Sequence, residues 1–295
     1  MSQIKYYIQL LKFKLSITVV FSAVAGYLLG IDIFNLTTFL NLIIGGFLIT
    51  GSANGLNQCL ESNYDALMKR TSIRPLPLKN LNLTQAYTFS VLIGITGLFF
   101  LNQIGLDKNW IYMSKSAFFG LLSVVLYVLV YTPLKRVSPF SIVIGAIPGA
   151  IPFLLGYVAA TDNFGLFAGT LFAIQFFWQF PHFIAISWVQ DAEYKKAGFK
   201  MMFGKEKGKY PATIAVLNSM LMTLVSVVPF FWIFNQLNLS IYGFVIILFL
   251  GLWLTWRAVI LHSTCDDVSA KKLMFSSFIY LPLMQVVYVL DKFLI

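Results

Sequence analysis

Charge is what this chain has least of. Of its 295 residues only 11% are Asp, Glu, Lys or Arg, while 59% are hydrophobic. An average soluble domain carries about 25% charge, so this chain cannot cover a water-facing surface. A soluble enzyme, a disordered tail and a fibrous repeat are excluded. Cysteine is almost missing too. Cys59 and Cys265 stand far apart with no paired spacing, so neither a disulfide framework nor a thiolate metal site is expected. Two histidines, His182 and His262, are too few for a histidine-rich metal site. Acids number 11 against 21 bases, for a net charge of +10. The bases are scattered between apolar segments. Membrane topology accounts for that pattern better than nucleic acid does, and no nucleic-acid partner is expected.

What the chain does have is long apolar runs. A helix needs about 20 mainly apolar residues to cross a bilayer. Nine spans are predicted, at about 15–31, 38–58, 82–101, 116–132, 139–160, 164–188, 211–234, 241–261 and 273–290. They are too long for strands and lack strict alternation, so the fold class is an all-α membrane bundle around a central apolar cavity. Residues 1–295 read as one membrane-embedded domain. Residues 1–14 read as an amphipathic helix on the bilayer surface, with Lys5, Gln9 and Lys12 on one face. The stretch Ala23-Val24-Ala25 has the look of a cleavage site, but eight further spans favour an uncleaved first helix. Alternate loops place 18 of the 21 bases on the side of the N-terminus, all but Lys108, Lys115 and Lys292. The positive-inside rule then predicts a cytoplasmic N-terminus in the inner (plasma) membrane. Two long loops, about 59–81 and 189–210, share that side, and chemistry is expected where they gather.

The end of the second span carries the first constellation. Asn57, Glu61 and Asp65 follow one another at four-residue spacing and form one stripe on a helix. Two carboxylates so placed repel by about 0.2–0.5 kcal/mol on an exposed helix, and by more near a membrane. A divalent cation would offset that repulsion. Oxygen ligands alone suit Mg²⁺, which binds through one or two carboxylates plus substrate phosphate oxygens. Lys69, Arg70, Arg74 and Lys79 follow, with Arg70 and Arg74 one helical turn apart until Pro75 stops a continuing helix. Acids for metal beside arginines for phosphate oxygens is the composition of a diphosphate site. The rival reading is a solvated helix end with Glu61 or Asp65 paired to Lys69 or Arg70.

The stripe resembles the first motif of the UbiA superfamily of intramembrane prenyltransferases, Asn-x-x-x-Asp-x-x-x-Asp, with Glu61 in place of the usual Asp. The following Asp65-Ala-Leu-Met-Lys-Arg-Thr-Ser-Ile-Arg74-Pro-Leu-Pro is similar to the protoheme IX farnesyltransferase (heme O synthase) branch. Asn63 stands where that branch often has another acid. A second block, Tyr131-Thr-Pro-Leu-Lys135-Arg136 with Gly145-Ala-Ile-Pro-Gly149-Ala-Ile-Pro152, is similar to the same branch. The resemblance implies that Tyr131 and Lys135 lie near the diphosphate, as hydrogen-bond donor and charge stabiliser, with Arg136 doing the same or anchoring the helix end. A third block, Phe177-Trp-Gln179-Phe-Pro-His182-Phe183 and then Asp191-Ala-Glu193-Tyr194-Lys195-Lys196, also fits. There the resemblance places His182 beside the tetrapyrrole, Glu193 in preference to Asp191 as the second metal ligand, and Lys195 toward the diphosphate. The superfamily's second motif, Asp-x-x-x-Asp, is missing, because two residues separate Asp191 from Glu193.

The expected chemistry is Mg²⁺-assisted departure of diphosphate at the membrane face, with metal and bases stabilising the leaving oxygens. An apolar bundle would keep water from the allylic cation. From the resemblance come the substrates, farnesyl diphosphate and heme B, with heme B as substrate rather than cofactor. It also supplies the product, heme O with its water-derived hydroxyl, and downstream heme-modifying or oxidase-assembly proteins as partners. A prenyltransferase acting on an aromatic quinone precursor is the nearest rival. A transporter, which would place charges mid-span, is the rival of another class.

Overall fold

The computed structural model describes residues 3–105, 113–204, 206–231 and 238–294. Lys108, Lys205 and the end of the predicted span 211–234 fall outside them. The described residues are helical, with no strand among them. The helices are α1 (Gln3–Leu10), α2 (Phe13–Gly30), α3 (Leu36–Asp65), α4 (Leu83–Asn102), α5 (Lys115–Val125), a π-helical stretch (Leu126–Tyr131), α6 (Thr132–Leu134), α7 (Ser141–Thr161), α8 (Leu166–Val189), α9 (Asp191–Lys196), α10 (Lys209–Val227), a 3₁₀ turn (Val228–Phe231), α11 (Ile241–Thr264) and α12 (Asp267–Leu294). Side chains start several of them: Asn35, Asn82, Ser114 and Ser240 each accept a backbone N–H in the first turn of α3, α4, α5 and α11.

Eight of these segments are long and apolar enough to cross a membrane. The predicted span 164–188 is not among them. Its helix, α8, is 24 residues long, but it holds Gln175, Gln179 and His182 in the bundle interior. A helix that keeps polar groups turned inward can afford lower mean hydropathy than one that faces lipid. Contacts show that α8 runs the length of the bundle. Near its start Asp162 pairs with Lys115 at 3.0 Å. At its end Trp188 donates to Asp267 at 3.0 Å.

Each long helix packs against the next, and α12 returns to α2, so the bundle closes on itself. One crossing is unusually tight. A Cβ on Gly26 of α2 would lie 2.0 Å from the Phe153 carbonyl oxygen, and one on Gly156 of α7 would lie 1.8 Å from that of Ala23. Only glycine admits this approach, the usual way helices pack where lipid supplies no hydrophobic drive. A buried Ser22–Gln285 hydrogen bond at 3.1 Å ties α2 to α12 deep in the same region.

The N-terminal helix α1 is shorter than the amphipathic helix predicted over 1–14. It ends at Leu10, and Lys12 adopts a left-handed conformation with φ 47° before α2 begins. That corner turns Lys12 away from a continuous surface stripe.

Candidate active site

The motif-bearing ends of α3, α6, α8 and α9 meet at one end of the bundle. Helix α3 stops at Asp65, and the chain then makes a series of turns instead of continuing as a helix. This turned segment brings Arg74 back onto the helix end, where it donates to Asp65 at 2.6 Å. Thr71 donates to the Asp65 carbonyl at 2.8 Å and pins the turn. Asp65 is 1% exposed, and its Oδ1 has no hydrogen-bond partner. One turn earlier Glu61, also buried, pairs with Lys135. Asn57 donates to Glu61 at 3.0 Å and is 3.0 Å from Thr132. The stripe is real, and each acid holds a base.

The π-helical stretch explains how Tyr131 and Lys135 reach this place. Pro133 has no N–H to donate, and a wider turn before it re-aims the side chains that follow. Thr132 donates its hydroxyl to the Tyr127 carbonyl at 2.7 Å. Lys135 is buried between aromatic faces, 5.1 Å from the ring centroids of both Tyr131 and Phe199. Tyr131 in turn lies on Gly145, where a Cβ would come within 2.7 Å of its ring. The small residue in α7 is thus the seat of a site tyrosine.

Other predicted residues stand apart from this core. Lys69 and Arg70 are exposed. Arg136 is exposed as well, stacked 4.8 Å over Tyr64 and donating to its hydroxyl. Asp191 pairs with Lys195 at 2.8 Å. Glu193 accepts the Lys69 N–H at 2.5 Å and pairs with Lys196 at 2.8 Å. These two hydrogen bonds hold the Glu193 carboxyl below the usual carboxylate range. So Glu193 staples the two long loops together. His182 lies between α8 and α12, 2.9 Å from the Ser277 hydroxyl and stacked on Trp178 at 4.4 Å. Its neighbour Phe183 is the residue that approaches Tyr131, at 6.5 Å.

Two residues escaped the motif reading. Lys12 is half-buried, and burial of its ammonium, with the nearby charges of Arg74 and Lys135, lowers its pKa to about 7 against the pull of Glu61 and Asp65. It belongs electrostatically to the site. A lone lysine before an apolar span reads as a topology signal, so nothing marked it. Phe199 forms one wall for Lys135, and no sequence spacing pointed to it.

No three acids, cysteines or histidines gather as a metal cage among the described residues. What is gathered is two buried carboxylates, one with an unpartnered oxygen, and three bases. This donor set fits a hard cation such as Mg²⁺ that draws its remaining oxygens from a phosphate substrate. Lys12, Arg74 and Lys135 suit the phosphate charge.

Comparison with known proteins bears on the family and the fold. Residues 19–279 match the model of the UbiA prenyltransferase family. The chain is 46% identical over 289 residues to a protoheme IX farnesyltransferase of Flavobacterium psychrophilum, covering 97% of this chain and 94% of that one. It is 44% identical over 286 residues to the protein of that name from Christiangramia forsetii, covering 97% and 93%. Among solved structures, a digeranylgeranylglyceryl phosphate synthase superposes with TM-score 0.82 at 18% identity over the full length of both chains. A UbiA homolog from Archaeoglobus fulgidus bound to GPP and Mg²⁺ superposes with TM-score 0.70 at 15% identity, covering 96% of this chain and 99% of that one. The chain belongs to the UbiA prenyltransferase family.

Proposed function

We propose that this protein transfers the farnesyl group of farnesyl diphosphate to a vinyl group of heme B, giving heme O, with Mg²⁺ at Glu61 and Asp65. The observation that carries the diphosphate half of this reading is the buried acid pair with its exchangeable bases. The acceptor half rests on full-length relatives that bear the name protoheme IX farnesyltransferase.

The chain's own residues do the following. Asp65 Oδ1 and Glu61 supply hard oxygen ligands, with the Asn57 carbonyl oxygen within reach on the same stripe. Arg74 and Lys135, paired with the acids, turn to the diphosphate oxygens when these arrive. Lys12 adds a third positive charge. When bound, Mg²⁺ neutralises charge developing on the departing diphosphate. Tyr131 and Phe199 enclose Lys135 in an aromatic setting that raises the worth of each charge contact. Below them the apolar side chains of α7 and α8 receive the isoprenoid chain and keep bulk water from the cation. Tyr131 and Phe183 offer π faces to it. The basic loops receive the heme propionates in this reading, and the charge asymmetry supports a cytoplasmic location of this face. Both polar loops and the acids lie at one bundle end rather than mid-span, which fits interfacial chemistry and not transport. By this account the ninth crossing is α8.

The test is acceptor choice. Purified protein is incubated with labelled farnesyl diphosphate, Mg²⁺ and either heme B or 4-hydroxybenzoate, and label is followed into each acceptor. Label in heme is expected. Transfer to the benzoate alone would overturn the acceptor half while leaving the prenyl donor site in place.

A further inference from the structure

Helix α8 carries a second polar feature besides His182. Gln175, Gln179 and Phe183 are spaced four residues apart and share one helix face. Phe183 lies 6.5 Å from Tyr131, so this face is the one turned toward the site. The Gln179 amide lies against Gly149 of α7, where a Cβ would come within 2.4 Å of Nε2. Gly149 is one helical turn deeper than Gly145, the seat of Tyr131. Tyr131 and the Gln179 amide therefore occupy successive levels of one wall, first the diphosphate level and then the level of the carbon that leaves it.

Both amides are costly where they stand. Gln179 is 5% and Gln175 4% exposed. Gln175 Oε1 is buried with no hydrogen-bond partner. An unpaired buried amide forfeits a few kcal/mol, and a helix that wanted only packing would carry Leu here. Side chains at this spacing have Cβ atoms about 5–6 Å apart on one helix face, and a buried water needs two or more polar partners of the kind these two amides offer.

We propose that Gln179 and Gln175 hold the water that ends the reaction. The inference rests on the heme reading above. Departure of diphosphate breaks the C1–O bond. The vinyl π pair forms the new C–C bond to C1 and leaves a cation on the carbon next to the porphyrin ring. The held water gives an oxygen lone pair to that carbon, and its surplus proton passes to the diphosphate. Without a water in place, the same cation loses a proton from the adjoining carbon and yields an alkene lighter by one water. Gln179 is thus a positioning residue that selects alcohol over alkene.

The experiment compares heme products of wild type, Gln179→Leu, Gln175→Leu and Gln179→Glu by mass, in ¹⁸O-labelled water. The expected result is labelled alcohol from wild type and a rise of about tenfold or more in the alkene-to-alcohol ratio for Gln179→Leu. Gln175→Leu should shift the ratio the same way, and Gln179→Glu, which keeps an acceptor, should restore the alcohol. If Gln179→Leu fails to fold, the ratio from Gln175→Leu decides. Wild-type product ratios in both leucine variants overturn this inference alone. Wild type that farnesylates no heme overturns the parent reading, and this one with it.

Discussion

Glu61 and Asp65 are tolerable at membrane depth because neither is alone. Asp65 holds Arg74 at 2.6 Å, and Glu61 holds Lys135. A buried pair left without one partner costs about 3–5 kcal/mol, so these contacts keep a charged site standing before substrate arrives. In the proposed reaction they are also the contacts that substrate replaces. Asp65→Asn keeps the shape and removes the charge, and we expect a loss of about 100-fold or more in kcat/KM, with the chain still folded by size exclusion and a lowered melting temperature because Arg74 loses its partner. Full activity in Asp65→Asn would make the stripe structural. Lys12→Met tests the residue that spacing did not mark. It should raise the KM for farnesyl diphosphate by about tenfold, the worth of one charge-assisted contact, and leave the melting temperature near that of wild type. At this scale the sequence was legible where the geometry of the candidate site follows helical spacing, as at Asn57, Glu61 and Asp65. It was silent where a side chain enters by a corner of the backbone. Lys12 joins the site only because of a left-handed residue before α2, and Phe199 only because the loop after α9 folds over Lys135.

Among elements, the long loops behave as fixed parts. Glu193 joins them, accepting the Lys69 N–H and pairing with Lys196. Its carboxyl is held below the usual carboxylate range by these hydrogen bonds. The sign follows: the staple is fully present above the ordinary glutamate range and is lost as pH falls through the lowered value. Limited proteolysis of the loops should therefore be slow at pH 7 and quicken only once the pH has fallen below the ordinary glutamate range. Glu193→Gln should be cut quickly at both, and equal protection in the variant would contradict the role. The α2–α7 crossing is the other element-level device. Gly156→Leu would drive a side chain into the Ala23 carbonyl, so it should abolish stable protein, whereas Gly169→Leu, with open space around it, should not. The spans themselves were legible because apolar length decides them. The π-helical stretch was not, since it depends on how Pro133 is accommodated beside α3, and α8 was legible as a long helix but stands outside the eight long apolar segments because its inward glutamines and histidine dilute its hydropathy.

For the whole molecule, the scarce charges divide by end. Lys135, Glu61, Glu193 and Asp267 make their pairs at one end, and Lys115 and Asp162 at the other. Such segregation is what a bilayer imposes and what a single membrane-facing site needs. In a background free of Cys59 and Cys265, Lys69→Cys should react with an impermeant thiol reagent only from the cytoplasmic side, and Lys115→Cys only from the opposite side. Reversed labelling would invert the proposed orientation. The central claim is that a buried carboxylate pair at one end of this bundle drives farnesyl transfer to heme. The measurement that meets it most directly is the mass spectrum of the heme pool after wild type and Asp65→Asn are each incubated with heme B, farnesyl diphosphate and Mg²⁺. The account predicts heme O from wild type and unmodified heme B from the variant; heme B unchanged in both, or heme O formed equally by both, would contradict it.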